Sequence, residues 1–154
     1  MTLANLLSET QILPDLASDE RWAAIGELVD CLVAAGKIAG PDRAEVLESI
    51  RQREETMSTG IGFGIAIPHA SSDKVTDVVA AFGRSRGGVQ FDSLDAQPVF
   101  FIVLFVVPKD QFQTHLRTLA AIAKFLNDKA VRDDLGQATD AAGILQVFQS
   151  RSAR

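Results

Sequence analysis

The sequence predicts an α/β fold: a single-domain sandwich over 1–154, with a central mixed β-sheet flanked by helices on both faces. Three observations carry this. Short apolar, strand-like segments occupy the middle of the chain. Apolar residues at helical spacing precede and follow them. The run Val99–Val107 holds nine apolar residues between Pro98 and Pro108, without alternation, as in a strand covered on both faces. With 154 residues, 47% hydrophobic, the chain can build one real core, and the apolar fraction excludes disorder.

The elements follow in order. Trp22, Ile25, Val29, Leu32 and Val33 repeat at helical spacing and predict a helix over 19–35, stopped at Gly36. Pro41 suits the first position of a second helix reaching about Glu54, with Val46, Leu47 and Ile50 inward. The glycine-rich passage Ser58-Thr59-Gly60-Ile61-Gly62-Phe63-Gly64 leads into the apolar run 65–67 and then Pro68-His69. Strands are predicted over 77–83 and 99–107, with turns at Arg84–Gly88 and Asp92–Pro98. Leu116, Leu119, Ile122 and Leu126 mark a third long helix, and Ile144, Leu145 and Phe148 a last one near 139–150.

Charge and cysteine content narrow the function classes. A net charge of −5 argues against nucleic acid or an anionic membrane as partner, since both need a concentrated positive patch. Cys31 is the single cysteine, so neither an intrachain disulfide nor a thiolate metal cluster can form, which suits a reducing compartment. No Lys or Arg precedes Arg21, so a signal-peptide n-region is absent. The longest apolar run is far short of the ~20 residues a membrane helix needs. A cytoplasmic location is expected.

Few residues can do chemistry. His69 stands behind Pro68 at the end of an apolar strand, where open α/β sheets tend to bind ligands. A structural or surface histidine is the other reading there. His115 shares a helix face, within about 60°, with Leu119, Ile122 and Leu126; it is either a core histidine or a residue facing the strand ends near His69. The glycine passage is neither a Walker loop nor a dinucleotide fingerprint. Its glycines fit a bulged or tightly turned backbone, or bare N–H groups of Ser58, Thr59 and Gly60 that, with the two hydroxyls, reach an anion. Arg53, at a helix end, either caps the macrodipole or grips a phosphate by paired hydrogen bonds. A zinc site from His69, His115 and Asp73 matches no common ligand spacing. Cys31 lies in an apolar stripe, remote from a Cys–His dyad, and Glu54 and Glu55 fall on different helix faces.

The passage Arg53-Glu54-Glu55-Thr56-Met57-Ser58-Thr59-Gly60-Ile61-Gly62-Phe63-Gly64-Ile65-Ala66-Ile67-Pro68-His69-Ala70 resembles the active-site stretch of the fructose/mannitol-type enzyme IIA of the bacterial phosphoenolpyruvate-dependent phosphotransferase system. The segments Gly88–Val99 and Val107–Leu116 also look like that family, and the likeness runs from Leu3 to about Phe148. The chain departs from the usual pattern at Met57, where glycine is common, and after Ala70, where Ser-Ser-Asp-Lys replaces an early basic residue. The resemblance implies that His69 is the phosphorylated nucleophile, taking phosphate from phospho-HPr, the histidine-containing phosphocarrier. It implies that His115 supports that ring, that Arg53 stabilises the phosphate, and that Ser58, Thr59 and Gly60 belong to the phosphate-binding segment. Neither metal nor cofactor is implied, because the donor is already a phosphohistidine. After the last helix only Arg151-Ser-Ala-Arg154 remains, with no IIB-, IIC- or HPr-like segment. A stand-alone nitrogen-type regulatory IIA is therefore expected, binding target proteins according to phosphorylation state. The alternative is a sugar-uptake IIA that passes phosphate to a separate IIB; a homodimer is compatible with either.

Overall fold

The computed structural model describes residues 3–56 and 58–152; Met57, where the sequence departs from the family pattern, lies outside them. Helix α1 (Leu3–Leu6) and strand β1 (Ile12–Leu13) open the fold, followed by α2 (Arg21–Ala34) and α3 (Arg43–Thr56). Then come β2 (Gly60–Gly62), β3 (Ile65–Ala66), β4 (His69–Ser72), β5 (Val79–Val89) and β6 (Val99–Pro108). Helices α4 (Leu116–Leu126), α5 (Lys129–Gln137) and α6 (Ala141–Ser152) complete it.

The sheet is mixed, in the order β1-β5-β6-β3-β2, with β4 also on β6. β5 and β6 are antiparallel, whereas β3 and β4 both run parallel to β6. β6 is buried almost throughout and separates two cores. Ile102, Leu104 and Val106 pack with Ile25, Leu28, Leu32, Val46 and Ile50 of α2 and α3. Phe101, Val103, Phe105 and Val107 pack on the other face with Ile122, Leu126, Leu135, Ile144 and Phe148. The unalternated apolar run thus has its physical cause: each face of β6 has its own helical layer.

Two expectations need correction. The turn at Arg84–Gly88 is instead the second half of β5, which runs on to Val89. The Gly- and Arg-rich composition marks a bulge, a register shift between Arg84 and Val89. Gly88 takes a positive φ of 94° there, and a Cβ on it would lie 2.9 Å from Pro98 Cβ. Arg84 stays in the strand because its buried guanidinium donates to the carbonyls of Pro14 and Leu135, at 2.9 and 2.8 Å, and of Ala138. The second correction concerns His69, which opens β4 and does not close the strand before it. Pro68 lacks an N–H and interrupts the pairing with β6 between β3 and β4.

Candidate functional site

The site lies where β3 gives way to β4. Ile67 lies outside the ladder, and its carbonyl accepts a hydrogen bond from Nδ1–H of His69 at 2.8 Å. Phe105 N–H takes the Pro68 carbonyl at 3.0 Å, and His69 pairs in register with Phe105. The ring is fixed by backbone on one edge and stacked with Phe112 at 6.1 Å between centroids, 19° between planes. Only 8% of His69 is exposed. Burial pushes its pKa below the usual imidazole value, and the positive charge of Arg53 adds to this; the Ile67 hydrogen bond and the Glu54 carboxylate oppose it. The imidazole is thus held neutral, with Nδ1 engaged as donor and Nε2 left as the nitrogen with a lone pair.

His115 is brought to the same place. It caps the N-terminus of α4, half-buried, with its ring edge-on to Phe105 at 6.2 Å. Together with His69, Phe105, Phe112 and Leu119 it lines a cavity of about 10 Å³, room for about one water. Nδ1 of His115 is buried and has no hydrogen-bond partner among the described residues. The two histidines come from β4 and from the start of α4, and the register of β4 on β6 together with the start of α4 brings them to one cavity. Arg53, half-buried near the end of α3, acts electrostatically on His69.

Ser58, Thr59 and Gly60 are placed differently from the expectation of free anion donors. Ser58 Oγ–H donates to the Phe91 carbonyl at 2.9 Å and accepts Gly60 N–H at 3.1 Å. Thr59 gives both its N–H and its hydroxyl to Glu54, at 2.8 and 2.7 Å. These donors are engaged inside the protein and shape the loop. A Cβ on Gly60 would lie 2.9 Å from Ser93 Cα, so the glycine is required for close backbone approach.

Glu54 is the residue that sequence reasoning passed over. Its carboxylate is fully buried, whereas the adjacent Glu55 is exposed and paired with Arg51 at 3.0 Å. The signal was available: Val46, Ile50 and Glu54 recur every fourth residue, on the inward face of α3. The other candidates lie apart. Asp73 is exposed beyond β4, and the Cys31 thiol, its pKa raised by burial, donates to the Thr10 carbonyl at 3.2 Å.

The chain has relatives among known proteins. A nitrogen regulatory protein of Bradyrhizobium diazoefficiens is 32% identical over 148 residues, covering 96% of this chain and 95% of its own length. The fructose-specific EIIABC component of Bacillus subtilis is 36% identical over 148 residues. These cover 96% of this chain but only 23% of that protein. The crystal structure of the nitrogen regulatory protein IIA-Ntr from Neisseria meningitidis superposes with a TM-score of 0.85 at 28% identity, covering 95% of this chain and 98% of that one. The family model described as phosphoenolpyruvate-dependent sugar phosphotransferase system, EIIA 2, matches residues 5–151. The chain, with His69 on β4 and His115 at the start of α4 lining one cavity, belongs to that EIIA family.

Proposed function

We propose that the chain is a phosphoryl carrier, phosphorylated on Nε2 of His69 by a phosphorylated HPr-like phosphocarrier. The observation that carries this is the 2.8 Å hydrogen bond from Nδ1–H of His69 to Ile67, which leaves Nε2 as the nucleophile. In the transfer, an Nε2–P bond forms as the donor's N–P bond breaks, and the donor imidazole leaves with its electron pair. Such a step asks the protein mainly for position and charge stabilisation. Arg53 supplies a positive charge, and His115, with its unpartnered Nδ1 at the N-terminus of α4, supplies a hydrogen bond to the phosphoryl oxygens. The helix end adds a favourable dipole. Ser58, Thr59 and Gly60 act on the phosphate indirectly, by holding the loop beside it.

The test is incubation of the chain with phosphoenolpyruvate, enzyme I and HPr. One acid-labile, base-stable phosphate is expected per chain, absent from His69→Ala. His115→Ala should still carry its label on His69, acquired slowly. Label persisting on His69→Ala, or mapped to His115 in the unmodified chain, would overturn the assignment.

Within that role the chain is read as a nitrogen-type regulatory IIA, supported by the likeness to the Bradyrhizobium and Neisseria proteins. The identity to the Bacillus fructose component favours a second reading, passage of phosphate to a IIB unit during sugar uptake. Transfer of label from the phosphorylated chain to a purified fructose-type IIB within seconds decides for uptake. Target proteins retained by only one of the phosphorylated and unphosphorylated forms decide for regulation.

A further inference from the structure

A second cavity, of about 350 Å³, opens between the sheet and α5. Arg84, Ser85 and Arg86 of β5 line it from one side, and Arg132, Asp133 and Gly136 of α5 from the other. It is distinct from the histidine site. Arg84 pairs with Phe101 and His69 with Phe105, four residues apart on β6, or roughly 13 Å along the strand.

Arg84 is the key residue. Its Nε and Nη1 hold the carbonyls of Pro14, Leu135 and Ala138, which explains why an arginine is buried here. Nη2 has no such explanation. It is buried without a hydrogen-bond partner among the described residues, and Asp15 Oδ1, at 3.9 Å, stands beyond hydrogen-bond distance. That carboxylate is 62% exposed and already accepts from Arg86 Nε at 3.0 Å. A desolvated guanidinium with donors to spare calls for a further anion.

The surroundings point the same way. Arg84, Arg86 and Arg132 line the cavity with Asp133, whose carboxylate is paired with Lys129 at 2.8 Å, and Asp15 stands beside Arg84 and Arg86. A positive surplus is thus concentrated in a chain of net charge −5. Arg132 is held in place by its Nη1–H donating to the carbonyls of Leu126 and Asn127, at 3.0 and 2.6 Å, with its guanidinium over the Phe63 ring. Gly136 is an independent mark. Glycine is a poor helix former, yet a Cβ at this position would meet nothing within 4 Å. Packing does not require the glycine, and its missing side chain leaves the cavity open.

We propose that this cavity binds a small phosphate-bearing anion, held by Arg86 and Arg132, with the under-paired guanidinium of Arg84 in the wall behind them. Guanidiniums from the strand wall and the helix wall suit a tetrahedral oxyanion, with oxygens in several directions, better than one planar carboxylate. The volume, at the small end of the roughly 300–1,000 Å³ of ligand pockets, admits the phosphate and a compact organic body.

The test is a residue-resolved NMR titration of the full chain with inorganic phosphate and with glycerol 3-phosphate, using sodium chloride at matched ionic strength as blank. The amides of Ser85, Arg86 and Gly136 should shift saturably, with a Kd at or below about 1 mM for the better ligand. They should shift equally in His69→Ala, which separates this site from phosphate at the histidines. Arg86→Gln, an exposed position, should weaken binding at least about tenfold, and Gly136→Leu, which fills the cavity, should abolish it. Shifts reproduced by chloride, absent altogether, or unchanged in folded Arg86→Gln would overturn the proposal. Tighter binding of succinate than of either phosphate would overturn the choice of phosphate. Should Gly136→Leu fail to fold, Arg86→Gln alone decides.

Discussion

Pro68 and His69 act as a pair at the residue scale. The proline cannot donate to β6, and the carbonyl of Ile67 just before it fixes the imidazole tautomer. Burial then lowers the pKa of that ring, with Arg53 contributing in the same direction. The sign for stability follows. Because the folded value lies below the unfolded value near 6.5, the unfolded chain binds more protons as the pH falls. The contribution of neutral His69 is therefore fully present above pH ~6.5 and lost as pH falls through the folded value. An NMR titration of the His69 Cε1–H should give a midpoint below 6.5. In Arg53→Ala the midpoint should rise while staying below that reference, since burial is the larger cause. The same variant should accept phosphate about 10- to 1,000-fold more slowly, the range for a lost electrostatic contact at a transition state. An unchanged midpoint with a lowered melting temperature would instead make Arg53 a structural cation.

At the scale of elements, the C-terminal end of α3 organises the glycine-rich loop. Glu54 accepts two hydrogen bonds from Thr59 and lies 3.9 Å from Arg21, which also approaches Asp92 at 3.6 Å. One buried carboxylate thus ties α3, the start of α2 and the approach to β2 together. Glu54→Ala would leave the N–H and hydroxyl of Thr59 unsatisfied in a buried place. The expected loss is about 1–3 kcal/mol for the orphaned donors, read by urea unfolding, with slower phosphate acceptance at His69. Full stability in Glu54→Ala would mean that the loop reorganises without this anchor.

At the scale of the molecule, β6 carries two independent cores. Phe148 of α6 closes the one opposite α2 and α3, edge-on to Phe82 at 5.1 Å and tilted on Phe125 at 5.9 Å. Phe148→Ala should cost about 3–5 kcal/mol, the range for an emptied aromatic core position. The phosphorylation rate of the folded fraction should be unchanged, because His69 is fixed by the Ile67 carbonyl, the Phe112 ring and its pairing with β6. A slowed rate in folded Phe148→Ala would show that this core also holds the site in position.

The fold class was legible because its signals are local. Periodicity of 3.6 marked α2, α3 and α4, and an unalternated apolar run marked β6, whichever neighbours they meet. The His69 motif was legible for the same reason, as a contiguous stretch of chain. What only the tertiary structure decided depends on contacts between distant residues. β1 is two residues long and exists through its parallel pairing with Phe82 and Gly83. Arg84 reads locally as a turn residue but is a strand residue, because carbonyls from Pro14, Leu135 and Ala138 meet it there. The meeting of His69 and His115 is likewise set by the register of β4 on β6 and by where α4 starts. Residue order states which groups are present; long-range pairing and burial determine which of them face one another and in what protonation state.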